Sequence, residues 1–162
     1  YTRASVVSSM ATNVGSEATS DASFAANLLT KASGIASSSF GRQTVASGDY
    51  ANAFGERSVA TGRSSMVSGE NNRANGRASV AGGIRSVAQG VGSFANGLIS
   101  QSYGSGSFTS GILARSFGEG SSALGISSFS AGLSSFANGL NVRANLGIAN
   151  FASGANSQAA GR

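Results

Sequence analysis

The sequence contains no cysteine and no histidine, and only 10% of its 162 residues are charged. Without thiolate or imidazole groups, the chain cannot build a Cys/His zinc site or a catalytic dyad or triad that uses those side chains. No stretch approaches the ~20 apolar residues of a membrane-spanning helix, so we predict no direct membrane insertion by this segment. These absences exclude much of enzyme chemistry, and we predict no enzymatic activity, no cofactor and no metal site.

The few charges are also dispersed along the chain. Ten arginines and one lysine oppose six carboxylates, which gives a formal net charge of +5 at pH 7. Stretches of Ser and Ala separate the basic side chains, and no basic cluster is formed. We therefore interpret them as solvated surface charges and predict no nucleic-acid partner.

Small residues take the place of the missing types. Gly occurs 24 times, Ser 33 times and Ala 27 times, so these three types fill about half of the chain. A domain of ordinary composition has about 45–50% apolar and about 25% charged residues. Because half of this chain cannot fill a wide core, a conventional layered α/β domain or helix bundle is not expected.

Glycine recurs with a period of seven residues. An unstructured linker has no reason to keep its glycines in phase. A coiled coil needs large apolar residues at a and d, and each Gly costs a helix about 1 kcal/mol relative to Ala. The period therefore indicates another kind of repeat. The repeated residues, called grid glycines below, are Gly34, Gly41, Gly48, Gly55, Gly62, Gly69, Gly76, Gly83, Gly90, Gly97, Gly104, Gly111, Gly118, Gly125, Gly132 and Gly139, followed after one extra residue by Gly147, Gly154 and Gly161.

Residues around each grid glycine alternate in size. Positions two and four before the glycine are almost always small, whereas larger residues fall one and three before it. Residues two apart share one face of a β-strand, so the small face points into a narrow interior and the large face points outward. The larger residues alternate in type between successive seven-residue units, which doubles the period of the repeat to 14 residues. The sequence predicts an all-β parallel β-roll, or solenoid, with 14-residue coils, each built from two seven-residue half-coils with short strands and turns at the grid glycines.

We predict a single β-roll domain over residues 1–162. Residues 1–33 form less regular first coils, because Asn13, Ser20 and Asn27 stand where the grid requires glycine. Asn is among the non-glycine residues that best tolerate a positive φ. After Gly139 the next grid glycine is Gly147, one residue later than the seven-residue period requires. This extra residue predicts a one-residue bulge near residues 146–147.

Large apolar side chains concentrate on one of the two predicted sheets, which holds seven of the nine phenylalanines. At ~150 Å² or more for each ring, these seven would present on the order of 1,000 Å², more than the largest patch of a typical monomer. We therefore predict that this face is an oligomer interface. Its residues are Phe24, Phe40, Phe54, Met66, Val80, Phe94, Phe108, Leu124, Phe136 and Phe151.

Several units share a short motif: SVATG at 58–62, SVAGG at 79–83, SVAQG at 86–90, SFANG at 93–97 and 135–139, and SALGIS at 122–127. These units resemble the SVAIG-type head repeats of YadA-like trimeric autotransporter adhesins, with Phe in place of the family's usual Val and Ile. The resemblance implies a left-handed roll, a homotrimer, and a non-enzymatic fibre head that attaches to host matrix, cells or other surfaces. It also implies an extracellular position at the bacterial cell surface, with the outer-membrane anchor in a part outside this sequence.

The second predicted sheet has mostly polar or modest-sized outward residues, and aromatic residues appear on it in one cluster of four residues that includes an arginine. They are Tyr103, Arg115, Phe117 and Phe129. Aromatic and Arg side chains are enriched at binding hot spots, so we predict that these four contact a matrix or cell-surface ligand. Packing of the same aromatic side chains against a neighbouring chain or domain is an equal alternative.

Three other functions are weighed against the adhesive one. A phage or viral fibre could use the same roll. Ice-binding rolls also have 14-residue coils, but their binding faces are regular arrays of Thr-like residues, whereas the outer row here is irregular and charged. A glycan-cleaving enzyme needs convergent carboxylates. Glu56 and Glu70 are one coil apart, and we interpret them as a solvated corner with Arg42 and Arg57.

Overall fold

The computed structural model describes residues 1–160, and Gly161, the last grid glycine, lies outside the described residues. Within this range the chain consists of strands and turns. No helix of the described part is long and apolar enough to cross a membrane. The strands are β1 (Arg3–Ala4), β2 (Met10–Thr12), β3 (Glu17–Ala18), β4 (Phe24–Leu28), β5 (Lys31–Ala32), β6 (Ser38–Arg42), β7 (Val45–Ala46), β8 (Asn52–Glu56), β9 (Val59–Ala60), β10 (Met66–Glu70), β11 (Arg73–Ala74), β12 (Val80–Ile84), β13 (Val87–Ala88), β14 (Phe94–Leu98), β15 (Gln101–Ser102), β16 (Phe108–Ile112), β17 (Arg115–Ser116), β18 (Ser122–Ile126), β19 (Phe129–Ser130), β20 (Phe136–Leu140), β21 (Arg143–Ala144), β22 (Phe151–Ala155) and β23 (Gln158–Ala159).

Each coil contributes one strand to each of two parallel sheets. Among the described residues, the odd-numbered strands form a 12-stranded sheet and the even-numbered strands form an 11-stranded sheet. The first, with two residues in each strand, is called the short-strand sheet; the second, with mostly five, is the long-strand sheet. Neighbouring strands of a sheet come from successive coils and pair in register, as Val67 does with Ala81. The prediction of an all-β solenoid with 14-residue coils is confirmed.

The register changes once near the C-terminal end. Phe136 of β20 pairs with Phe151 of β22, and Arg143 of β21 pairs with Gln158 of β23. Each of these partners lies one residue further along the chain than the spacing of the earlier coils would place it. Since Ser130 still pairs with Ala144, the additional residue falls in the turn that follows β21.

The interior between the sheets is lined by small side chains. Ala60, Ala74 and Ala88, each two residues before a grid glycine, are fully buried. Among the described residues, the largest fully buried side chains include only medium-sized ones, with Val67 and Val142 first. The sheets therefore lie too close together to enclose aromatic or long aliphatic side chains, and these remain outside.

The predicted position of the grid glycines in turns is wrong for half of the repeat. Gly48, which follows a short strand, lies in a turn, whereas Gly55 and Gly97 lie inside long strands. The long-strand grid glycines have φ between 89° and 137°, a range that L side chains rarely adopt. In the turns, positive φ falls two residues after the glycine, on residues such as Tyr50 and Arg57.

Glycine is required at both kinds of grid position because successive coils approach closely there. A Cβ atom placed on Gly97 would overlap the backbone carbonyl oxygen of Gly111 in the next coil. In the turns, a Cβ on Gly62 would overlap the carbonyl oxygen of Gly76. The seven-residue period is therefore set mainly by contact between coils, since only a residue without Cβ fits.

Several buried serines donate hydrogen bonds to the carbonyl groups of the grid glycines. Ser86 Oγ donates to the carbonyl oxygen of Gly97 at 3.1 Å. Ser79 Oγ donates to that of Gly76 at 2.7 Å, within one turn. At the positions equivalent to Ser79, the hydroxyl groups of Ser37, Ser65 and Ser93 are buried without a hydrogen-bond partner among the described residues, so small size as well as hydrogen bonding favours serine there.

Asn72 replaces serine at one of these positions and makes three hydrogen bonds. Its Nδ2 donates to the carbonyl oxygens of Ser68 and Gly83 at 2.6 and 2.7 Å, and its Oδ1 accepts from Ser86 N at 2.7 Å. We expect Asn72→Ala to lower the free energy of unfolding by about 2–3 kcal/mol, because three buried backbone groups lose partners. Asn72→Ser, which restores the residue found at the equivalent Ser58, should cost no more than about 1 kcal/mol. Urea denaturation measures both, and equal losses would contradict this role of Asn72.

Candidate functional site

The ten residues predicted to form an oligomer interface all lie on the outer face of the long-strand sheet. Each occupies the first or third position of its strand. In the single chain all ten are half-buried or exposed, up to 67% exposure at Phe151. The structure thus brings the ten residues onto one face.

Phenylalanine rings on this face stack from coil to coil in three groups. Phe94 and Phe108 lie nearly parallel, with an angle of 4° between their planes. Stacked rings add to the stability of neighbouring coils but leave their edges exposed to water. The distances between ring centroids are 4.8 Å for Phe24–Phe40, 5.4 Å for Phe40–Phe54, 4.9 Å for Phe94–Phe108 and 5.2 Å for Phe136–Phe151.

Sequence reasoning missed a second apolar row on the long-strand sheet. It consists of the last residue of five consecutive long strands, immediately after the grid glycine, and each side chain is 40–47% exposed. The available signal was an Ile or Leu directly after every second grid glycine from Gly83 to Gly139. This row makes the apolar face wider in the second half of the chain. Its residues are Ile84, Leu98, Ile112, Ile126 and Leu140.

The same row is charged in earlier coils. Arg42 and Glu56 pair in register, with 2.9 Å between Nη2 and Oε1, and Arg57 Nη2 lies 3.5 Å from the same carboxylate oxygen. Glu70 is in register with Glu56. The interpretation of these groups as a solvated corner is confirmed, since the paired side chains are 39–50% exposed. In residues 1–160 no group of three or more Asp or Glu side chains could hold a metal ion.

The four residues of the predicted ligand patch lie together on the outer face of the short-strand sheet. The rings of Tyr103 and Phe117 stack with centroids 4.8 Å apart, and those of Phe117 and Phe129 lie 5.4 Å apart and tilted. Arg115 pairs in register with Phe129. Phe117 is 43% exposed, so the patch presents aromatic surface to solvent on the face opposite the long-strand sheet.

Three hollows open beside this patch, and Arg143 is part of two of them. Sequence reasoning missed Arg143, although its position one coil after Phe129 was available as a signal. The first hollow, of about 400 Å³, is lined by Leu113, Arg115, Ser127, Ser128, Phe129, Arg143 and Asn145. The second, of about 420 Å³, is lined by Ser127, Asn141, Arg143, Asn156 and Gln158. The third, of about 530 Å³, is lined by Phe129, Ala131, Asn145, Leu146 and Ala160.

The patch and its hollows are positively charged. Arg115 and Arg143 are exposed and flank Phe129, one coil away on either side. Neither contributes to an ion pair within residues 1–160, where the basic partners are Lys31, Arg42 and Arg57. No carboxylate lines any of the three hollows. The two guanidinium groups therefore remain available to an anionic ligand.

Comparison with known proteins agrees with the repeat pattern. A comparison with curated proteins gives no match. The family model of the YadA head domain repeat matches residues 32–58, 41–65 and 60–83. These residues include coils with the grid glycines, the buried Ala and Ser positions and the outward apolar positions described above. The resemblance to YadA-like head domains is therefore confirmed over residues 32–83, which match the YadA head domain repeat.

Proposed function

We propose that this chain is part of the non-enzymatic head of a homotrimeric surface fibre, which attaches a bacterium to host matrix, cells or other surfaces. The match of residues 32–83 to YadA head repeats supports an adhesin-type head. The observation that carries the proposal is the difference in side-chain chemistry between the outer faces of the two sheets. The long-strand face is apolar over most of its length, whereas the short-strand face alternates polar side chains with Val45, Val59 and Val87 and carries one aromatic patch.

The apolar face supports assembly with further copies of the chain. Large contiguous apolar patches are uncommon on monomers and mark interaction surfaces. The inner face of the long-strand sheet is covered by the short-strand sheet, whereas its outer face leaves Phe54 and Phe108 38% and 40% exposed. Two further copies of the same face would cover it, in the trimer that the family resemblance implies. The extracellular, bacterial cell-surface location belongs to the same proposal.

The opposite face is left for ligands, and we assign ligand contact to Tyr103, Arg115, Phe117 and Phe129. In a trimer packed through the long-strand sheets, these residues would face solvent in each chain. Clustered aromatic and Arg side chains are the type that carries most of the binding energy at interfaces.

Replacing the three aromatic residues of the patch tests this assignment. We expect Tyr103→Ala, Phe117→Ala and Phe129→Ala together to reduce adhesion of protein-coated beads to matrix and cell layers by at least about tenfold. The fold should persist because the three side chains lie outside the interior, as circular dichroism would show. The matched control is Tyr50→Ala, an aromatic residue that is 50% exposed on a distant turn.

Two results would count against the proposal. If the triple variant adhered to every surface as strongly as the unmodified chain, the patch would have no role in adhesion. Failure of the unmodified chain to adhere to any matrix or cell layer would contradict the adhesive role itself.

A further inference from the structure

The first two hollows beside the patch adjoin each other, because Ser127 and Arg143 line both, and together they are called the groove below. Its lining comes from turns that follow long strands, as at Leu113, and from the first residues of short strands, as at Arg115 and Phe129. With hollows of about 400 and 420 Å³ in succession, the groove can take a segment of an elongated ligand.

The polar side chains of the groove are guanidinium, amide and hydroxyl groups. Guanidinium groups only donate hydrogen bonds, whereas the amides of Asn141 and Gln158 and the hydroxyl of Ser127 both donate and accept. No carboxylate lines either hollow. A ligand with negative charges and many hydroxyl groups complements this set, since charged hydrogen bonds to guanidinium are strong and sugar hydroxyls match the amides.

The spacing of the arginines favours a polymer over a single small anion. Arg115 and Arg143 occupy equivalent positions in short strands two coils apart, and Phe129 occupies the same position in the coil between them. At ~4.8 Å for each coil, their strands are about 10 Å apart along the solenoid. A chain that carries anionic groups at intervals can contact both arginines, while its uncharged part packs on the Phe129 ring.

The backbone along the groove argues against an added peptide strand. Extended peptides are commonly bound by pairing with an open sheet edge. Here the backbone N–H groups of Arg115, Phe129 and Arg143 already donate to carbonyl groups of the next coil, at 2.8–2.9 Å. Recognition therefore depends on side chains, as it does for a sugar chain.

We propose that this groove binds an acidic polysaccharide that carries carboxylate or sulfate groups. The inference rests on the proposed function, in which the short-strand face contacts ligands, and it specifies the ligand class. In a trimer the groove is present three times, so a long polysaccharide that engages more than one copy gains avidity.

The test measures binding of the purified chain to immobilised heparin, hyaluronan, neutral dextran and polyglutamate. We expect binding to heparin or hyaluronan, none to dextran, and weaker binding at higher salt because exposed charges are screened. The double variant Arg115→Gln, Arg143→Gln should bind at least about tenfold more weakly. The matched control is Arg73→Gln with Arg77→Gln, which removes the same charge. Arg73 occupies the equivalent position in an earlier short strand, where its in-register neighbours are Val59 and Val87.

Three other outcomes overturn the inference, each in a distinct way. An equal loss in the Arg73/Arg77 control would show attraction to net charge alone. Equally strong binding to polyglutamate would show that a polyanion of any backbone suffices. Absence of binding to both acidic polysaccharides would refute the ligand class, and the proposed function would stand if the aromatic variant still lost adhesion. Retained polysaccharide binding in a chain that adheres to no matrix or cell layer would refute the proposed adhesive function alone.

Discussion

Replacing Gly97 with alanine is expected to lower the free energy of unfolding by about 4 kcal/mol, combining backbone strain with overpacking. Gly97 has φ of 134° within β14, and a Cβ at this position would overlap the carbonyl oxygen of Gly111. The neighbouring coil cannot move aside without breaking the hydrogen bonds of the long-strand sheet. Thermal and urea unfolding, followed by circular dichroism, would measure the loss.

Gly92→Ala is the matched control for this prediction. Gly92 lies in a turn with φ of 64°, and no heavy atom beyond its own chain neighbours lies within 4 Å of a Cβ placed on it. Equivalent turns already contain alanine with positive φ, at Ala36 and Ala78. The cost should therefore be only about 1 kcal/mol, from the left-handed backbone. Similar losses for Gly92→Ala and Gly97→Ala would show that backbone conformation, not contact between coils, explains the grid.

The stacking of the coils could be predicted because side-chain size alternates with a fixed phase along the sequence. Ala60, Ala74 and Ala88 occupy the same position in successive coils, and the structure buries all three in one row. The same spacing brings the rings of Tyr103 and Phe117 together, so members of the ligand patch could be identified before their contacts were known. In a parallel solenoid with 14-residue coils, residues 14 apart in the sequence are neighbours in adjacent coils, so such rows can be predicted from the sequence.

The unequal strands could not be predicted, because phase does not distinguish the two kinds of grid glycine. Gly55 adopts φ of 107° inside a strand, whereas Gly62 begins a turn without a positive φ. Both kinds interact with the next coil, since Gly55 pairs in register with Gly69 and Gly62 N donates to the carbonyl oxygen of Ala74, so the seven-residue phase alone does not separate them. With the alternation broken at glycine, the following residue, such as Leu98, becomes an additional exposed apolar position.

The groove could not be predicted either, since it combines residues from different parts of the coil. Leu113 and Asn141 belong to turns after long strands, whereas Arg115 and Arg143 begin short strands. Size alternation assigns each strand residue to a face of its sheet, but it does not indicate how far the residues of a turn project above that face. The sequence therefore indicated the aromatic part of the patch, and only the structure adds the second arginine and the polar lining.

Phe94→Ser combined with Phe108→Ser is expected to convert a trimer into monomers. Both side chains lie on the outer face of the long-strand sheet, with ring centroids 4.9 Å apart, and Phe108 is 40% exposed in the single chain. If that face is the interface, a trimer loses six buried rings, each worth about 2 kcal/mol of burial. The concentration at which the trimer dissociates should then rise by several orders of magnitude, because each 1.4 kcal/mol is about tenfold in affinity.

Oligomer mass from analytical ultracentrifugation decides this prediction, with Tyr103→Ser and Phe117→Ser as the control pair. Those two rings also stack at 4.8 Å, but on the short-strand sheet, so the control removes a comparable aromatic pair from the other face. We expect the control to keep the mass of the unmodified chain and the interface variant to lose it, while both keep their circular dichroism spectra. A monomeric unmodified chain, or equal masses for the two variants, would contradict assembly through the long-strand face. The control pair also separates assembly from adhesion, because it should impair ligand contact in a head that remains trimeric.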